Sequence, residues 1–385
     1  MKPTDTIRIQ QYKNIFFALL IYATTLVFIP QILAYILISV IGLFYMLTNK
    51  LEKKDIFLFL FLLVSILIYY VGASEANTSV SKSANDIVPY TIFIVATIFF
   101  SKHLTNDVLK YILFFIILEI GVGMIEYALG KPYLIEPRLS LNGENEFGES
   151  IYLYYNRVYG LSAVTSVFAQ KIMVGIILLF FLDIKKYRYI ILSILIIGLF
   201  ITFNRTAIIA TLFFLTFIYI NEIGLKKNIL YIALPTLLLI ILINIFQEQI
   251  LIQFFRGRDE IDLSGRDHVF SYFISFFKGN WVWGNYTHKL WVALSEGRIY
   301  HAHNSYLQTI ANLGLFLTSW LFIYITTFFN KKNILFIAPI LIYSIFQYGI
   351  LWGVSFLDII LFSILFITNS KSIVGRDRNK KIKLI

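Results

Sequence analysis

The sequence contains no cysteine. That excludes disulfides, thiolate metal sites and cysteine nucleophiles, and says nothing of compartment. Charge is scarce. Only 14% of the 385 residues are Asp, Glu, Lys or Arg, where soluble domains carry about 25%. With 58% hydrophobic residues and a mean hydropathy of +0.77, a large soluble core is excluded and a polytopic membrane protein is indicated. There is no HExxH pattern, no low-complexity tract and no repeat with a period of about 20–50 residues. Aromatics are plentiful at 17%, mostly Phe and Tyr. They suit lipid-facing and interfacial positions, and an AT-rich coding bias explains them equally well.

Twelve hydrophobic runs stand out, at roughly 14–30, 31–48, 56–73, 87–101, 108–128, 161–183, 189–204, 206–222, 229–246, 304–329, 334–351 and 354–370. Backbone groups in lipid must bond internally, so helices are expected. The expected fold is an all-α polytopic membrane protein with about 12 transmembrane helices. Residues 1–246 hold helices one to nine, 247–303 form an external cap loop, 304–370 hold helices ten to twelve, and 371–385 are a basic tail. The first run reads as a retained anchor and not as a cleaved signal.

The net charge of +11 raises nucleic acid as a partner, but the positions of the cations answer otherwise. Lys50, Lys53, Lys54, Lys185, Lys186, Arg188, Lys226, Lys227, Lys331 and Lys332 lie in short loops on one side, as does the tail. The positive-inside rule puts that side and both termini in the cytoplasm. Nucleic acid drops out.

The opposite face carries the long loops. Between 247 and 303 lie Arg256, Arg258, Arg266, Lys278, Lys289 and Arg298 and four of the five histidines. Val269, Phe270, Phe273, Ile274 and Phe277 recur at helical spacing. They describe an amphipathic helix, either lying in the interface with Trp281, Trp283 and Trp291 at headgroup depth, or packed on top of the bundle.

Four features on that face carry chemistry: Arg157, Arg205, Arg266 and His303. Arginine bonds phosphate in bidentate fashion and stays charged. Two or three guanidiniums meeting at one point would hold a diphosphate without a metal; singly, each also reads as a snorkelling anchor. Arg205 sits in a tight hairpin that leaves its side chain little choice of depth. An imidazole such as His303 has an ordinary pKa near 6.5 and can take a proton from a hydroxyl. A capping role is the alternative, and His301 is the alternative base. Glu119, Glu126 and Lys171 are ionisable residues that lie well inside their runs. Glu119 and Glu126 share one helical face, and a Glu119–Lys171 pair near mid-membrane reads as a structural salt bridge or a substrate contact. Asp358 is similar, with no evident partner.

Ser264-Gly265-Arg266, the aromatic-rich helix after it and the His303-Asn304-Ser305-Tyr306-Leu307-Gln308…Leu313-Gly314 end resemble the signature region of the O-antigen polymerase and O-antigen ligase superfamily. Asn204-Arg205-Thr206-Ala207 is a second match and Asn156-Arg157-Val158-Tyr159-Gly160 a weaker one. The chain departs from the family pattern after Arg266, where Phe270 is the nearest large aromatic, and at a turn reduced to Trp281-Val282-Trp283-Gly284.

The resemblance implies a GT-C-like, metal-independent, inverting glycosyltransferase in the bacterial cytoplasmic membrane, without cofactor, its active site on the external face. The donor would be a polyprenyl-diphosphate-linked oligosaccharide and the acceptor a sugar hydroxyl on a lipid-linked glycan. His303 would be the base, Arg205 and Arg266 the diphosphate clamp, with Arg157, Lys171 and His301 as further substrate contacts. Membrane lipids, a chain-length regulator and a flippase are the expected partners. Ligase-type transfer to lipid A core or protein is the alternative in the same class. A transporter or flippase of lipid-linked oligosaccharide is the alternative in another class.

Overall fold

A computed structural model describes residues 3–78, 88–131, 133–135, 157–223, 247, 266–293 and 299–374. The chain forms helices α1 (Pro3–Ala23), α2 (Gln31–Thr48), α3 (Lys53–Val71), α4 (Tyr90–Lys102), α5 (Asn106–Ala128), α6 (Thr165–Phe181), α7 (Arg188–Ile201), α8 (Arg205–Ile223) and α9 (Arg266–Gly279). A two-stranded antiparallel hairpin follows, β1 (Val292–Ala293) and β2 (Ile299–Tyr300). Then come α10 (Ser305–Thr326), α11 (Ile334–Phe346) and α12 (Phe356–Val374). Apart from that hairpin the regular structure among the described residues is helical, as a polytopic membrane protein requires.

Among the described residues four helices, α2, α3, α5 and α10, are long and apolar enough to cross a membrane. The other apolar helices are shorter. Helices α4 and α11 have 13 residues each, about 20 Å at 1.5 Å per residue, against a hydrocarbon core of about 30 Å. Each expected run with described residues coincides with a helix; the run at 229–246 lies outside the described residues. The ends shift. Helix α1 stops at Ala23 and not near 30, α6 starts at Thr165 and not at 161, and α12 continues past 370 to Val374.

Helix pairing rests on small residues and interior polar bonds. At Gly42 a Cβ would collide with the carbonyl of Ala96, so α2 and α4 pack backbone to backbone, as small residues allow between membrane helices. Helix α8 lies along α11, α4 along α12, and α5 against α1, α6 and α7. At the basic end, Lys102 pairs with the buried Asp55, which also closes a capping box with Glu52 at the start of α3. His103, just beyond α4, lies against Tyr45, the ring centroids 3.9 Å apart and the planes tilted by 36°. Burial, together with Lys13 and Lys102, lowers its pKa below the ordinary histidine value.

At the other end, α10 is broken. Gly314 has φ +67° and ψ 176° inside the helix, a conformation essentially confined to glycine. The segment 281–287 fills the break. Asn285 N–H donates to the Ala311 carbonyl at 2.8 Å, Thr287 N–H to that of Asn312 at 2.9 Å, and Leu315 N–H to that of Trp281 at 2.8 Å. Gly284, φ +60°, lies against Gly314 so closely that a Cβ on either would strike the other's backbone. The reduced Trp281–Gly284 turn is thus a docking element for α10.

Helix α9 packs on α10. Val269 and Phe273 join Leu290, Val292, Ala302 and Ala311 in a small separate core, while Ile274 stays exposed. Of the two expectations for this helix, packing on the bundle describes these contacts.

Candidate functional site

The site grows from the start of α10. Asn304 caps the helix, its Oδ1 accepting from Leu307 N–H at 2.9 Å. Four and eight residues on, Gln308 and Asn312 face the hairpin. Gln308 Oε1 accepts from Ala302 N–H at 2.8 Å. Its Nε2 donates to the Leu290 carbonyl at 2.8 Å and to Asn312 Oδ1 at 2.9 Å, and Leu290 N–H donates to the same oxygen at 2.8 Å. Both legs of the hairpin are therefore clamped to α10 by two buried amides.

This clamp holds His301 and His303 on either side of the buried Ala302. Their rings lie 4.2 Å apart. His303 adopts φ +49°, unusual for a residue with a Cβ and a frequent mark of functional loops. Its N–H donates to His301 Nδ1 at 3.1 Å. Neutral His301 therefore carries its proton on Nε2.

A second irregular segment, 347–355 between α11 and α12, meets the histidines. Ser305 Oγ donates to the Gln347 carbonyl and accepts from the N–H groups of Gly349 and Ile350. The carboxylate of Asp358 accepts from Leu351 N–H at 2.6 Å, Trp352 N–H at 3.2 Å and Ser355 Oγ at 2.9 Å. Thr97 donates to the Gly353 carbonyl at 2.9 Å. Thr97 lies seven residues into α4, about 10 Å along it, so the segment turns back inside the bundle. Non-helical backbone is tolerated there only when its polar groups are satisfied, and Asp358 and Ser305 do so. This is the partner that Asp358 lacked in the sequence.

The turned-back segment brings Tyr348 and Trp352 to His301, at 5.4 and 5.6 Å, and Trp352 to Trp291 at 5.9 Å. The ammonium of the buried Lys289 sits 4.0 Å from the Trp352 ring, a cation–π contact. Tyr348 and Trp352 had no distinguishing spacing in the sequence. Gln308 did stand within the motif that points to the family, but its clamp role needs the hairpin to be seen.

The expected anion-binding residues fall into three groups. Arg205 opens α8, where Asn204 Oδ1 accepts from Ala207 N–H at 3.0 Å and caps the helix. Helix α8 packs along α11, with Phe214 meeting Phe336 at 6.2 Å. Arg157 and Tyr159 precede α6, whose Ser166 carbonyl accepts from the Tyr343 hydroxyl of α11 at 3.2 Å. Burial raises the Tyr159 phenol, and the Arg157 guanidinium opposes that rise. Arg266 opens α9, and its side chain lies outside the described residues.

Lys171 stands apart. Its ammonium bonds both oxygens of Glu119, at 2.8 and 2.5 Å, with both side chains fully buried. The same carboxylate accepts from Ser162 and from Tyr22. Lys171 lies six residues into α6, about 9 Å from its start and not about 15 Å. Of the two roles open in the sequence, the salt bridge is the one this geometry builds. Breaking such a pair by removing one partner typically costs about 3–5 kcal/mol.

No curated protein and no solved structure matches the chain. Residues 190–322 match the family model described as O-Antigen ligase. The matched span runs from α7 to α10 and contains Arg205, Arg266, His301, His303 and the Gln308–Asn312 clamp. The two histidines, the helix cap behind them and the arginine opening α8 thus all fall within the segment that supports placing this chain in the O-antigen ligase and polymerase superfamily.

Proposed function

We propose that the protein is a membrane glycosyltransferase that extends polysaccharide, of the O-antigen, capsule or exopolysaccharide kind. It moves a glycan from a polyprenyl-diphosphate carrier to a sugar hydroxyl on a second lipid-linked glycan. The observation that carries this reading is the O-Antigen ligase match over 190–322, together with the paired histidines inside it. The basic end of the bundle faces the cytoplasm, and the histidine end faces the external medium.

In this reaction the acceptor hydroxyl gives its proton to His303. The acceptor oxygen attacks the anomeric carbon from the side opposite the diphosphate. The bond from that carbon to the phosphate oxygen breaks, and the carrier diphosphate leaves with the electron pair. Configuration inverts. Arg205 and Arg266 meet the charge that develops on the leaving diphosphate, with Arg157 as a further contact. Diphosphate leaves readily once its charge is met, whereas a sugar hydroxyl is a weak nucleophile. The base and the cations are the two parts this chemistry needs.

The name of the matched family favours a second reading, in which the acceptor is a lipid A core or a protein. Purified protein in liposomes, given lipid-linked repeats alone, separates the two. A ladder of lipid-linked products is expected. Products that form only when another acceptor is added would assign the ligase role, and outward movement of the donor with no new glycosidic bond would assign transport. The bonding of the intramembrane charges speaks against transport. Glu119, Lys171 and Asp358 are engaged with fixed partners.

Arg205→Ala is expected to weaken donor binding by about tenfold or more, the scale of one charged hydrogen-bonding group. Arg205→Lys should recover only part of it, because an ammonium has no planar fork. Titration with a fluorescent polyprenyl-diphosphate analogue reads this. Wild-type affinity in both variants would remove Arg205 from the clamp.

A further inference from the structure

Glu119 and Glu126 are seven residues apart on α5 and share one face of it. Both are fully buried. Carboxylates in such surroundings are expensive, so their partners are informative. Glu126 accepts from the N–H groups of Tyr159 at 3.1 Å and Gly160 at 2.7 Å on one oxygen, and from Leu134 N–H at 3.0 Å on the other. Glu119 accepts from Leu161 N–H at 3.0 Å and Ser162 Oγ at 2.8 Å. Four consecutive residues, 159–162, thus bond the carboxylates of one helix.

The rest of the segment is equally constrained. Gly160 turns with φ +58°, and a Cβ there would press on Glu119 and Phe168. The Leu161 carbonyl accepts from Val27 N–H at 2.9 Å. The side chain of Arg157 emerges two residues before the first of these anchored amides, with its Nε buried. Its backbone therefore starts from a fixed point set by α5 and not by α6, which begins only at Thr165.

We propose that Glu126, with Glu119 beside it, is a positioning residue. By holding the amides of Tyr159 and Gly160 it sets the backbone from which Arg157 reaches the carrier diphosphate. Glu126 touches no substrate and acts only through Arg157. The proposal rests on the reading of Arg157 as a diphosphate contact, and its test separates the two.

Glu126→Gln preserves size but turns one acceptor oxygen into an amide that itself donates, facing N–H groups. Glu126→Asp keeps the charge and withdraws it by one methylene. Each is compared with Arg157→Ala and with the Glu126→Gln, Arg157→Ala double variant. All are purified in detergent, checked by thermal unfolding, and assayed for donor KM and kcat in liposomes. Arg157→Ala should raise donor KM about tenfold. Glu126→Gln should raise it several-fold with kcat changed far less. The double variant should be no worse than Arg157→Ala, because effects that pass through one group do not add.

Additive losses, or an unchanged donor KM in folded Glu126→Gln, overturn the positioning role and leave the Arg157 contact standing. An unchanged donor KM in Arg157→Ala overturns both. Should Glu126→Gln fail to fold, Glu126→Asp carries the same comparison.

Discussion

His303→Ala is expected to lower transfer by about 10²–10⁴-fold, the usual contribution of a general base, while the carrier diphosphate still binds. The split follows from the site's construction. The cations that would meet the diphosphate stand on α8, on α9 and before α6, whereas His303 stands on the hairpin leg that enters α10. Removing the imidazole leaves the Gln308–Asn312 clamp and the Asn304 cap intact. Single-turnover transfer measured beside donor binding checks this. His301→Ala is the necessary companion. His301 Nδ1 accepts from His303 N–H, so its loss should impair transfer less, by loosening the left-handed turn at His303. Near-normal turnover in His303→Ala with loss in His301→Ala would exchange their roles, and turnover in both would remove the base from this pair.

Gly314→Ala is expected to be the most damaging single methyl among the described residues. The backbone at φ +67° and ψ 176° costs any other residue about 1–3 kcal/mol. A Cβ there would also run into the Val282 carbonyl and the Gly284 N–H, and neither is a flexible side-chain end that can move aside. The segment 281–287 would have to leave α10, stranding the carbonyls of Ala311 and Asn312 that it now satisfies. Leu290 follows that segment closely, and the hairpin that carries the histidines follows Leu290. We therefore expect a lowered unfolding temperature in detergent and loss of transfer. Gly279→Ala is the control, since a Cβ there meets nothing within 4 Å. A Gly314→Ala protein with normal melting and normal transfer would show that the break in α10 is dispensable.

Much of the membrane architecture was legible because lipid imposes one rule on every span: long apolar runs become helices. The sequence left a capping role open for His303, but the residue that caps α10 is its neighbour Asn304. The shared face of Glu119 and Glu126 followed from helical periodicity. The partners of those residues did not. Glu126 bonds amides 33 and 34 residues away, and no local pattern encodes which amides they are. The site shows the same division. His303 was marked by its motif and by its place at a span boundary. Tyr348 and Trp352 were hidden, because 347–351 reads as the end of one apolar run and only the fold turns it back beside the histidines.

The sequence by itself determined that this is a polytopic helical membrane protein, which stretch resembles the O-antigen ligase family, and which cations and imidazoles the chain offers for chemistry. These follow from composition, period and order, which belong to the chain in any conformation. The tertiary structure decided that Lys171 closes on Glu119, that Asp358 supports a turned-back loop, and that a second glycine at 284 lets the 281–287 segment enter α10. Each depends on buried polar groups finding partners far along the chain. Inside a membrane that requirement is strict, and only the packed bundle says which partner is within reach.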